Sequence, residues 1–306
     1  MTKIFIDGSA GTTGLRIKDR LLQRKDISLL SLPEEFRKDI QKRKEIINDS
    51  DIVFLCLPDS AAIESVSLIE NPNVKVIDTS TAHRTADGWA YGFPELKGQR
   101  GIIKNSNRIA NPGCHASGFI SLIQPLVQAG LIKKDIYLTC FSLTGYTGGG
   151  KKMIAEYESD QKPLLYNAPR QYGLSQQHKH LPEMKVVSGL DFEPCFCPIV
   201  SDFDCGMEVT IPLFKKDLRG TILDVEEVYK TTYTGEIVKY NKADENGFLS
   251  SNALRGKDSM EISVFGNDER VLLVSRFDNL GKGASGAAIQ NMNILLGVDE
   301  KTGLEI

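Results

Sequence analysis

Short apolar runs alternate with amphipathic segments along the first part of the chain. The apolar runs are Lys3–Ile6, Ile27–Leu32, Asp51–Leu57 and Val74–Asp78. The segments between them, such as Leu15–Gln23 and Ser60–Ile69, carry apolar residues at helical spacing. Strands that are apolar on both faces and are separated by helices are typical of a parallel sheet covered on both sides. The pattern therefore predicts a doubly wound α/β domain.

The strands of the second part alternate more regularly and are separated by irregular loops. They are predicted at Tyr137–Leu143, Lys185–Ser188, Met207–Leu213, Ile262–Phe265 and Val271–Phe277. This arrangement predicts an α+β domain with a mostly antiparallel sheet. The last helical segment, Ser285–Leu296, is expected to return to the first domain. We therefore expect one domain at residues 1–114 with 285–306, and a second at residues 115–284.

The composition narrows the class of protein. The chain has 306 residues with a formal net charge of −3, and 41% of its residues are apolar. Such a chain lacks the positive field that a nucleic acid or an anionic membrane requires of its partner. It also lacks the apolar stretch of a signal peptide and the roughly 20 apolar residues of a membrane span. Since its 6 cysteines are scattered, we expect reduced thiols and a soluble, cytoplasmic protein.

The first strand ends in a glycine-rich turn that leads into a helix. Its residues, all expected to bind a dinucleotide, are Gly8, Ser9, Ala10, Gly11, Thr12, Thr13 and Gly14. The spacing is GxxGxxG rather than GxGxxG, but its place between strand and helix suits a pyrophosphate. A strand–helix turn without a ligand is the alternative. In this context the turn favours a dinucleotide.

The end of the second strand indicates which nicotinamide cofactor is bound. NAD enzymes tend to place an acidic residue there for the ribose 2′-hydroxyl. This chain has Ser31 at the strand tip, and Arg37 and Lys38 follow the acidic residues. Ser31 with Arg37 or Lys38 suits a 2′-phosphate, although a solvated helix start would look the same. The sequence therefore favours NADP(H).

Cys114 carries the clearest chemical signal. It follows a Pro112-Gly113 turn and precedes an apolar helical pattern. A thiol at a helix N-terminus has a lowered pKa and becomes a nucleophile. A buried structural cysteine is the commoner fate of this residue type, but the turn and the helix favour the nucleophile. Cys195 and Cys197 lack the spacing of a zinc site, and we predict no metal.

Two histidines and a glutamate form the second chemical cluster. His178 and His180 are two residues apart, which places them on one face of an extended segment, and Glu183 follows. A thiolate enzyme that handles an acyl group needs an acid/base with a pKa near neutrality, and histidine meets that need. Glu183 is able to orient an imidazole. A surface loop with solvated histidines is the alternative.

The substrate is expected at the carboxyl end of the strand that closes with Asp78, where doubly wound sheets bind ligands. Arg84 has a planar fork that matches a carboxylate or a phosphate. Ser80, in the same loop, and Asn111, before the cysteine turn, are predicted to bind substrate with it. A surface arginine at a helix start is the alternative for Arg84.

Further cofactor contacts are predicted in three other loops. Leu57 and Pro58 close the third strand. Gly149 lies in a glycine-rich loop that can bring backbone N–H groups to the substrate or the nicotinamide, unless the loop is a mobile linker. Asn279 lies in the segment that opens the last helix and that can reach the cofactor again.

Seven segments, in this order, together resemble one enzyme family. They are IDGSAGTTG, DTSTAHRT, YGFPEL, NPGCHASGF, TGYTGGGKK, HKHLPEM and DNLGKGASGAAIQNMN. The family is N-acetyl-γ-glutamyl-phosphate reductase of arginine biosynthesis, in its shorter form. The resemblance implies a Rossmann NADP domain, an α/β dimerisation and substrate domain, and a homodimer or homotetramer. Two departures are His115, where a tyrosine is common, and Ser117, where a threonine is frequent.

The resemblance also implies the chemistry. The Cys114 thiolate would attack N-acetyl-γ-glutamyl phosphate and release phosphate, and NADPH would reduce the thioester. His178 would donate the proton, with His180 as second choice and Glu183 as partner, and Arg84 would bind substrate. Aspartate-β-semialdehyde dehydrogenase and aminoadipyl-phosphate reductase share this chemistry with other acyl substrates. A non-catalytic NADP-binding regulator and a cysteine hydrolase remain as alternatives from other classes.

Overall fold

The structure, a computed structural model, describes residues 1–242 and 245–306. The chain forms two compact units. Unit 1 comprises Met1–Pro94, Gly98–Pro112 and Ala284–Leu304, and unit 2 comprises Glu95–Lys97, Gly113–Gly283 and Glu305–Ile306. The chain enters unit 2 briefly at Glu95–Lys97 and again at Gly113, and it returns to unit 1 at Ala284. None of the helices within the described residues is both long and apolar enough to cross a membrane.

The elements of the described residues are labelled in chain order. The strands are β1 (Thr2–Asp7), β2 (Ile27–Leu30), β3 (Ile52–Leu55), β4 (Lys75–Asp78), β5 (Ala90–Tyr91), β6 (Arg108–Ala110), β7 (Thr139–Gly145), β8 (Arg170–Gln171), β9 (Cys195–Ser201), β10 (Met207–Phe214), β11 (Val238–Tyr240), β12 (Met260–Gly266) and β13 (Arg270–Phe277). The α-helices are α1 (Thr12–Leu21), α2 (Ile40–Asp49), α3 (Asp59–Ser67), α4 (Gln99–Lys104), α5 (Cys114–Gln128), α6 (Gly150–Tyr157), α7 (Leu181–Ser188), α8 (Ile222–Thr232) and α9 (Gly286–Leu296).

Unit 1 is built on a parallel sheet with the strand order β2-β1-β3-β4-β6-β5. Alternate residues of its strands enter two separate cores, because successive side chains point to opposite faces. Ile4 and Ile6 of β1 join Met292 of α9 in one core, whereas Phe5 joins Ile47 of α2 in the other. The strands are therefore apolar on both faces, and the predicted doubly wound domain is confirmed.

Unit 2 is built on a mixed sheet with the order β11-β12-β13-β10-β7-β9-β8. The pairs β11–β12 and β7–β9 are parallel, and the other neighbours in this order are antiparallel. Helix α5 packs on β10 and β13, since a Cβ on Gly118 would meet Val209 and Phe277. The predicted α+β domain with a mostly antiparallel sheet is confirmed.

The predicted strand at Lys185–Ser188 is wrong, because these residues belong to helix α7. The β-branched pair in this segment imitates a strand. Leu181 and Met184, however, are both buried at a spacing of three, which is helical. Gly189 ends the helix with φ +72°. The helical signal was therefore present, but it begins at Leu181, five residues before Val186.

Candidate active site

Cys114 is the first residue of α5 and is half-buried. Gly113 precedes it as the N-cap, with φ −78° and ψ 145°, and as a glycine it has no side chain of its own to cap the helix. The N–H groups of the first turn form the positive end of the helix dipole, which stabilises negative charge. The thiol predicted as nucleophile therefore lies at the start of a helix, behind the predicted turn.

Gly283, in the π-helical turn Gly281–Ser285, leaves room for Cys114. A Cβ on Gly283 would lie 3.0 Å from the Cβ of Cys114, so a larger residue there would displace the thiol. The carboxylate of Asp278, fully buried, accepts a hydrogen bond from the N–H of Gly281 at 2.9 Å. The close approach to Cys114 thus depends on a glycine in a turn that a buried carboxylate holds.

His178 and His180 lie side by side, with ring centroids 4.8 Å apart. The expectation of an extended segment is wrong, because both residues lie in a turn before α7, with His180 at φ −88° and ψ −9°. Pro182 near the helix start favours this helical conformation. The backbone N–H of His180 donates to Nδ1 of His178 at 3.2 Å. In its neutral form the His178 ring therefore carries its proton on Nε2.

Glu183 lies in the first turn of α7 and is buried. Its Oε1 accepts a hydrogen bond from the backbone N–H of Gly113 at 2.8 Å. This bond ties the histidine-bearing segment to the turn that precedes Cys114. That Glu183 orients an imidazole stays a prediction.

His115, which follows the predicted nucleophile, is buried and is hydrogen-bonded at both ring nitrogens. Its Nδ1 lies 2.7 Å from Oγ of Ser142, and its Nε2 lies 2.7 Å from the phenol oxygen of Tyr172. Burial above all, and then the charges of His178 and Lys179, lower the pKa of His115 from 6.5 to about 3. The ring is therefore neutral near pH 7. Sequence reasoning missed these contacts, because no local motif connects positions 115, 142 and 172.

The rings near Cys114 form one cluster. The ring centroid of His115 lies 5.6 Å from those of His178 and His180. The ring of Phe196 lies 5.2 Å from that of His115 and 5.1 Å from that of His178. His178, the first choice for the acid/base residue, thus lies against the apolar ring of Phe196.

The other cysteines have different surroundings. Burial raises the pKa of Cys56 to about 12 and also raises the pKa of Cys140, so both remain protonated thiols. Cys195 is exposed and Cys197 is half-buried on β9. Across residues 1–242 and 245–306, no three His, Cys, Asp or Glu side chains are grouped so that they could hold a metal ion.

Arg84 lies in unit 1, in the loop after β4, and is half-buried. Its Nε and Nη2 donate to the backbone carbonyls of Asn111 and Thr79 at 3.0 and 3.1 Å. Asn111 is itself buried and donates from Nδ2 to the carbonyl of Ala284 at 3.0 Å. The guanidinium is therefore held in one orientation, and the Asn111 backbone is one of the groups that hold it.

Asp78, the last residue of β4, organises this loop. Its buried carboxylate accepts hydrogen bonds from Oγ of Ser80 at 2.7 Å and lies 2.6 Å from Nδ1 of His83. The His83 ring stacks on Trp89 with centroids 4.0 Å apart. Ser80, which is predicted to bind substrate, thus donates its hydroxyl hydrogen bond to Asp78. No role was predicted for the side chains of Asp78 and His83, although a carboxylate at the end of a parallel strand was an available signal.

The Gly8–Gly14 turn fits the pyrophosphate of a dinucleotide. Gly8 has φ +89°, and a Cβ on it would lie 2.3 Å from the carbonyl oxygen of Cys56. A Cβ on Gly14 would lie 2.6 Å from the carbonyl oxygen of Gly8. Gly11 caps α1 without a side chain, and the first turn of α1 has no acidic residue. The helix start therefore presents backbone N–H groups, without competing carboxylates, to an anion.

The other predicted cofactor ligands of unit 1 lie at two strand ends. Leu57 and Pro58 connect β3 to α3. A Cβ on Gly8 would lie 2.9 Å from Cδ2 of Leu57. Ser31 follows β2 and is exposed. Arg37 is also exposed and forms an ion pair with Glu34, with 2.9 Å between Nη1 and Oε1. The β3–α3 loop thus packs on the glycine turn.

Gly149 and Asn279, also predicted to bind cofactor, lie in unit 2. The buried Asn279 accepts from the N–H of Gly206 at 2.9 Å and donates to Oγ1 of Thr147 at 3.0 Å. Gly149 closes the 3-10 turn Tyr146–Gly149. Asn279 therefore holds the glycine-rich loop in place. Contact of either residue with a cofactor stays a prediction.

Two family models match the chain. The NAD binding domain of semialdehyde dehydrogenase matches residues 4–103, which include the glycine turn. The dimerisation domain of semialdehyde dehydrogenase matches residues 114–279, which begin at Cys114. The chain therefore has the nicotinamide-binding domain and the dimerisation domain of this enzyme class.

Curated relatives match nearly the whole chain. The N-acetyl-γ-glutamyl-phosphate reductase 2 of Nostoc sp. is 43% identical, over 99% of each chain. The reductase of that name from Brucella anthropi is 47% identical, over 96% of this chain and 98% of its own. The solved aspartate semialdehyde dehydrogenase II of Vibrio cholerae matches with a TM-score of 0.72 over 97% of this chain and 98% of its own, at 16% identity, which shows a common fold alone. By sequence, the chain belongs to the N-acetyl-γ-glutamyl-phosphate reductase family.

Proposed function

We propose that this chain reduces N-acetyl-γ-glutamyl phosphate to N-acetylglutamate γ-semialdehyde, with NADPH as the reductant and phosphate as the second product. The observation that carries the proposal is the position of Cys114 at the start of α5, directly before a residue that lies close to the two histidines. The ring of this residue, His115, lies 5.6 Å from the rings of His178 and His180. Relatives named for this reaction support the choice of substrate over other acyl phosphates.

In the proposed reaction, Cys114 is the nucleophile. Its thiolate attacks the γ-acyl carbon, so that a C–S bond forms, the bond to the phosphate oxygen breaks and phosphate leaves. When bound, the nicotinamide supplies the hydride that reduces this thioester. His178 donates a hydrogen bond from Nε2 to the resulting oxyanion, which expels the Cys114 thiolate as the aldehyde carbonyl forms. His180 is the second choice for this role, and Glu183 supports the segment.

Arg84 is the proposed substrate clamp. Two of its donors are engaged by backbone carbonyls, which fixes the plane of the guanidinium. Its charge then serves a carboxylate or a phosphate of the substrate. Ser80 and Asn111 complete this proposed site.

NADP(H) is proposed to bind through the Gly8–Gly14 turn and the loop with Leu57 and Pro58, with Ser31 and Arg37 on the 2′-phosphate. The fit of the turn to a pyrophosphate supports this assignment. The cofactor domain is then residues 1–114 with 285–306, and the substrate domain is residues 115–284. Free thiols at each of the 6 cysteines support a cytoplasmic location.

We propose that a second copy of the chain covers the outer face of the unit 2 sheet. Phe141 of β7 and Leu272 of β13 lie on this face and are 43% and 41% exposed. The opposite face, with Val209, is buried under α5. The match of unit 2 to a dimerisation domain supports a homodimer, or a homotetramer made of two such dimers. Changing both Phe141 and Leu272 to Asp is expected to reduce the mass measured by light scattering by at least half; an unchanged mass would place the interface elsewhere.

The reaction is tested in reverse, with NADP⁺ and N-acetylglutamate γ-semialdehyde, with and without phosphate. We expect NADP⁺ reduction that requires phosphate. Turnover of aspartate semialdehyde instead would assign the chain to the related dehydrogenases. NADPH binding without turnover of either aldehyde would indicate a regulator, and ester hydrolysis without nucleotide binding would indicate a cysteine hydrolase.

A further inference from the structure

The tautomer of His115 is determined by a buried hydroxyl. Ser142 is fully buried. Within the described residues its Oγ is hydrogen-bonded to Nδ1 of His115 and to no other side chain. A buried hydroxyl donates to an available lone pair, because an unused donor is costly. Nδ1 of His115 is therefore the acceptor. Since the ring is neutral, its own proton lies on Nε2.

The same reasoning leads to Tyr172. The Nε2–H of His115 donates to the phenol oxygen of Tyr172, 2.7 Å away. The phenol proton of Tyr172 is then directed away from His115 and is available to another acceptor. The Tyr172 ring lies 6.1 Å from that of His178. The phenol oxygen of Tyr172 is hydrogen-bonded to His115, the residue that follows Cys114. Burial and the charge of Cys114 raise the pKa of Tyr172, so the hydroxyl keeps its proton.

The sheet register brings the two ends of this chain of hydrogen bonds together. Ser142 on β7 pairs with Pro198 on β9. The backbone N–H of Tyr172, just after β8, donates to the carbonyl of the same Pro198 at 3.0 Å. The positions of the serine and the tyrosine relative to His115 are therefore set by backbone pairing within one sheet.

We propose that the Tyr172 hydroxyl donates a hydrogen bond to the oxygen of the acyl group that Cys114 attacks, and that His115 and Ser142 are positioning residues that direct it. Negative charge develops on this oxygen in the tetrahedral transition state, where a donor held in advance is most effective. The identity of the natural acyl group rests on the proposed function, but the donor role applies to any acyl group on Cys114.

Two reagents separate this role from an effect on the thiolate. Acylation of Cys114 by p-nitrophenyl acetate forms an oxyanion as the C–S bond forms and p-nitrophenolate leaves, whereas alkylation by iodoacetamide forms none. With the reaction of Cys114→Ala subtracted, Tyr172→Phe is expected to slow acylation about 10²-fold and to leave alkylation nearly unchanged. Equal slowing of both reactions, or of neither, would overturn the proposal.

Two substitutions at His115 test the positioning. The amide nitrogen of His115→Gln reaches the place of Nε2 and keeps the donor to Tyr172, whereas that of His115→Asn reaches only the place of Nδ1 beside Ser142. We expect Gln to retain acylation and Asn to slow it nearly as much as Tyr172→Phe does. In the Tyr172→Phe background, Asn is expected to add nothing, since the two residues act as one unit. Equal effects of Gln and Asn, or additive effects, would refute the positioning role.

These measurements need neither NADPH nor the natural substrate. Failure of phosphate-dependent turnover in the wild-type protein would count against the proposed function alone. An unchanged ratio of acylation to alkylation in Tyr172→Phe would count against the Tyr172 role alone.

Discussion

The glycine turn of unit 1 and the cysteine site of unit 2 are built from different parts of the polypeptide. The turn relies on backbone atoms: Gly8 has φ +89°, and its missing Cβ leaves space for a carbonyl oxygen. The cysteine site relies on side chains from separate elements, including Cys114, Ser142, Tyr172 and His178. In the turn, consecutive residues form the site, whereas in the cysteine site the sheet brings distant residues together.

This difference determines how each site fails. A backbone site is damaged by added atoms, because a side chain fills the space that the ligand or the neighbouring backbone needs. A side-chain site is damaged by removed atoms, because the proposed chemistry resides in the thiol, imidazole and hydroxyl groups. The two units should therefore respond to opposite kinds of substitution.

Cys114→Ala is expected to have the largest effect. It removes the nucleophile and should abolish turnover, while NADPH, proposed to bind in unit 1, still binds. The phosphate-dependent assay measures turnover. The quenching or enhancement of NADPH fluorescence measures NADPH binding separately. Cys195→Ser is the matched control, because Cys195 is exposed on β9, and it should keep turnover. Remaining turnover in Cys114→Ala would refute the nucleophile.

The same difference between consecutive and distant residues determines how well each site could be predicted from the sequence. The glycine turn and Cys114 were predictable because their signals are consecutive residues: a strand, a turn and an apolar helix. The contacts of Tyr172 were not, because they depend on the pairing of β8 with β9 and of β9 with β7. Register of this kind follows from the packing of the whole sheet and not from any short segment.

The fold was predictable where the hydrophobic pattern extended over a whole strand or helix. In unit 1, strands such as β1, apolar on both faces, indicated a covered parallel sheet. In unit 2, the same reasoning failed at α7, where Val186 and Val187 suggested a strand. The helix there depends on Leu181 and Met184, which face the core, and on the turn before it. Tertiary burial therefore outweighed local propensity.

The next largest effect is expected for the histidines. His178→Ala should lower kcat by about 10²–10⁴, the usual contribution of a general acid or base. His180→Ala should cost less, because the bond to Nδ1 of His178 comes from the backbone N–H, which alanine keeps. Steady-state rates of both variants in the phosphate-dependent assay decide the order. A larger loss in His180→Ala would make His180 the acid/base.

An added methyl group tests the backbone site of unit 1. Gly8→Ala should destabilise the protein by about 1–3 kcal/mol through its φ of +89°, and should weaken NADPH binding. Gly11→Ala is the matched control for stability, because Gly11 has φ −75° and the nearest described atom to its added Cβ would be 3.7 Å away. Urea unfolding measures stability, and fluorescence titration measures binding. Equal stability of the two variants would contradict the steric argument.

The last predicted effect is a pH dependence that arises from His115. Its pKa is lowered to about 3 in the folded protein, against 6.5 ordinarily, so below pH 6.5 the unfolded chain takes up the proton first. The free energy of unfolding should therefore fall as the pH decreases from about 6.5 toward 3, by up to about 1.4 kcal/mol per pH unit. Between pH 7.5 and 5.0, urea unfolding should show about 2 kcal/mol more loss in the wild type than in His115→Gln, which cannot titrate and in which the other groups are unchanged. A parallel decline in the two proteins would mean that the pKa of His115 is the same in the folded and unfolded chains, and the lowering of that pKa by burial would then be refuted.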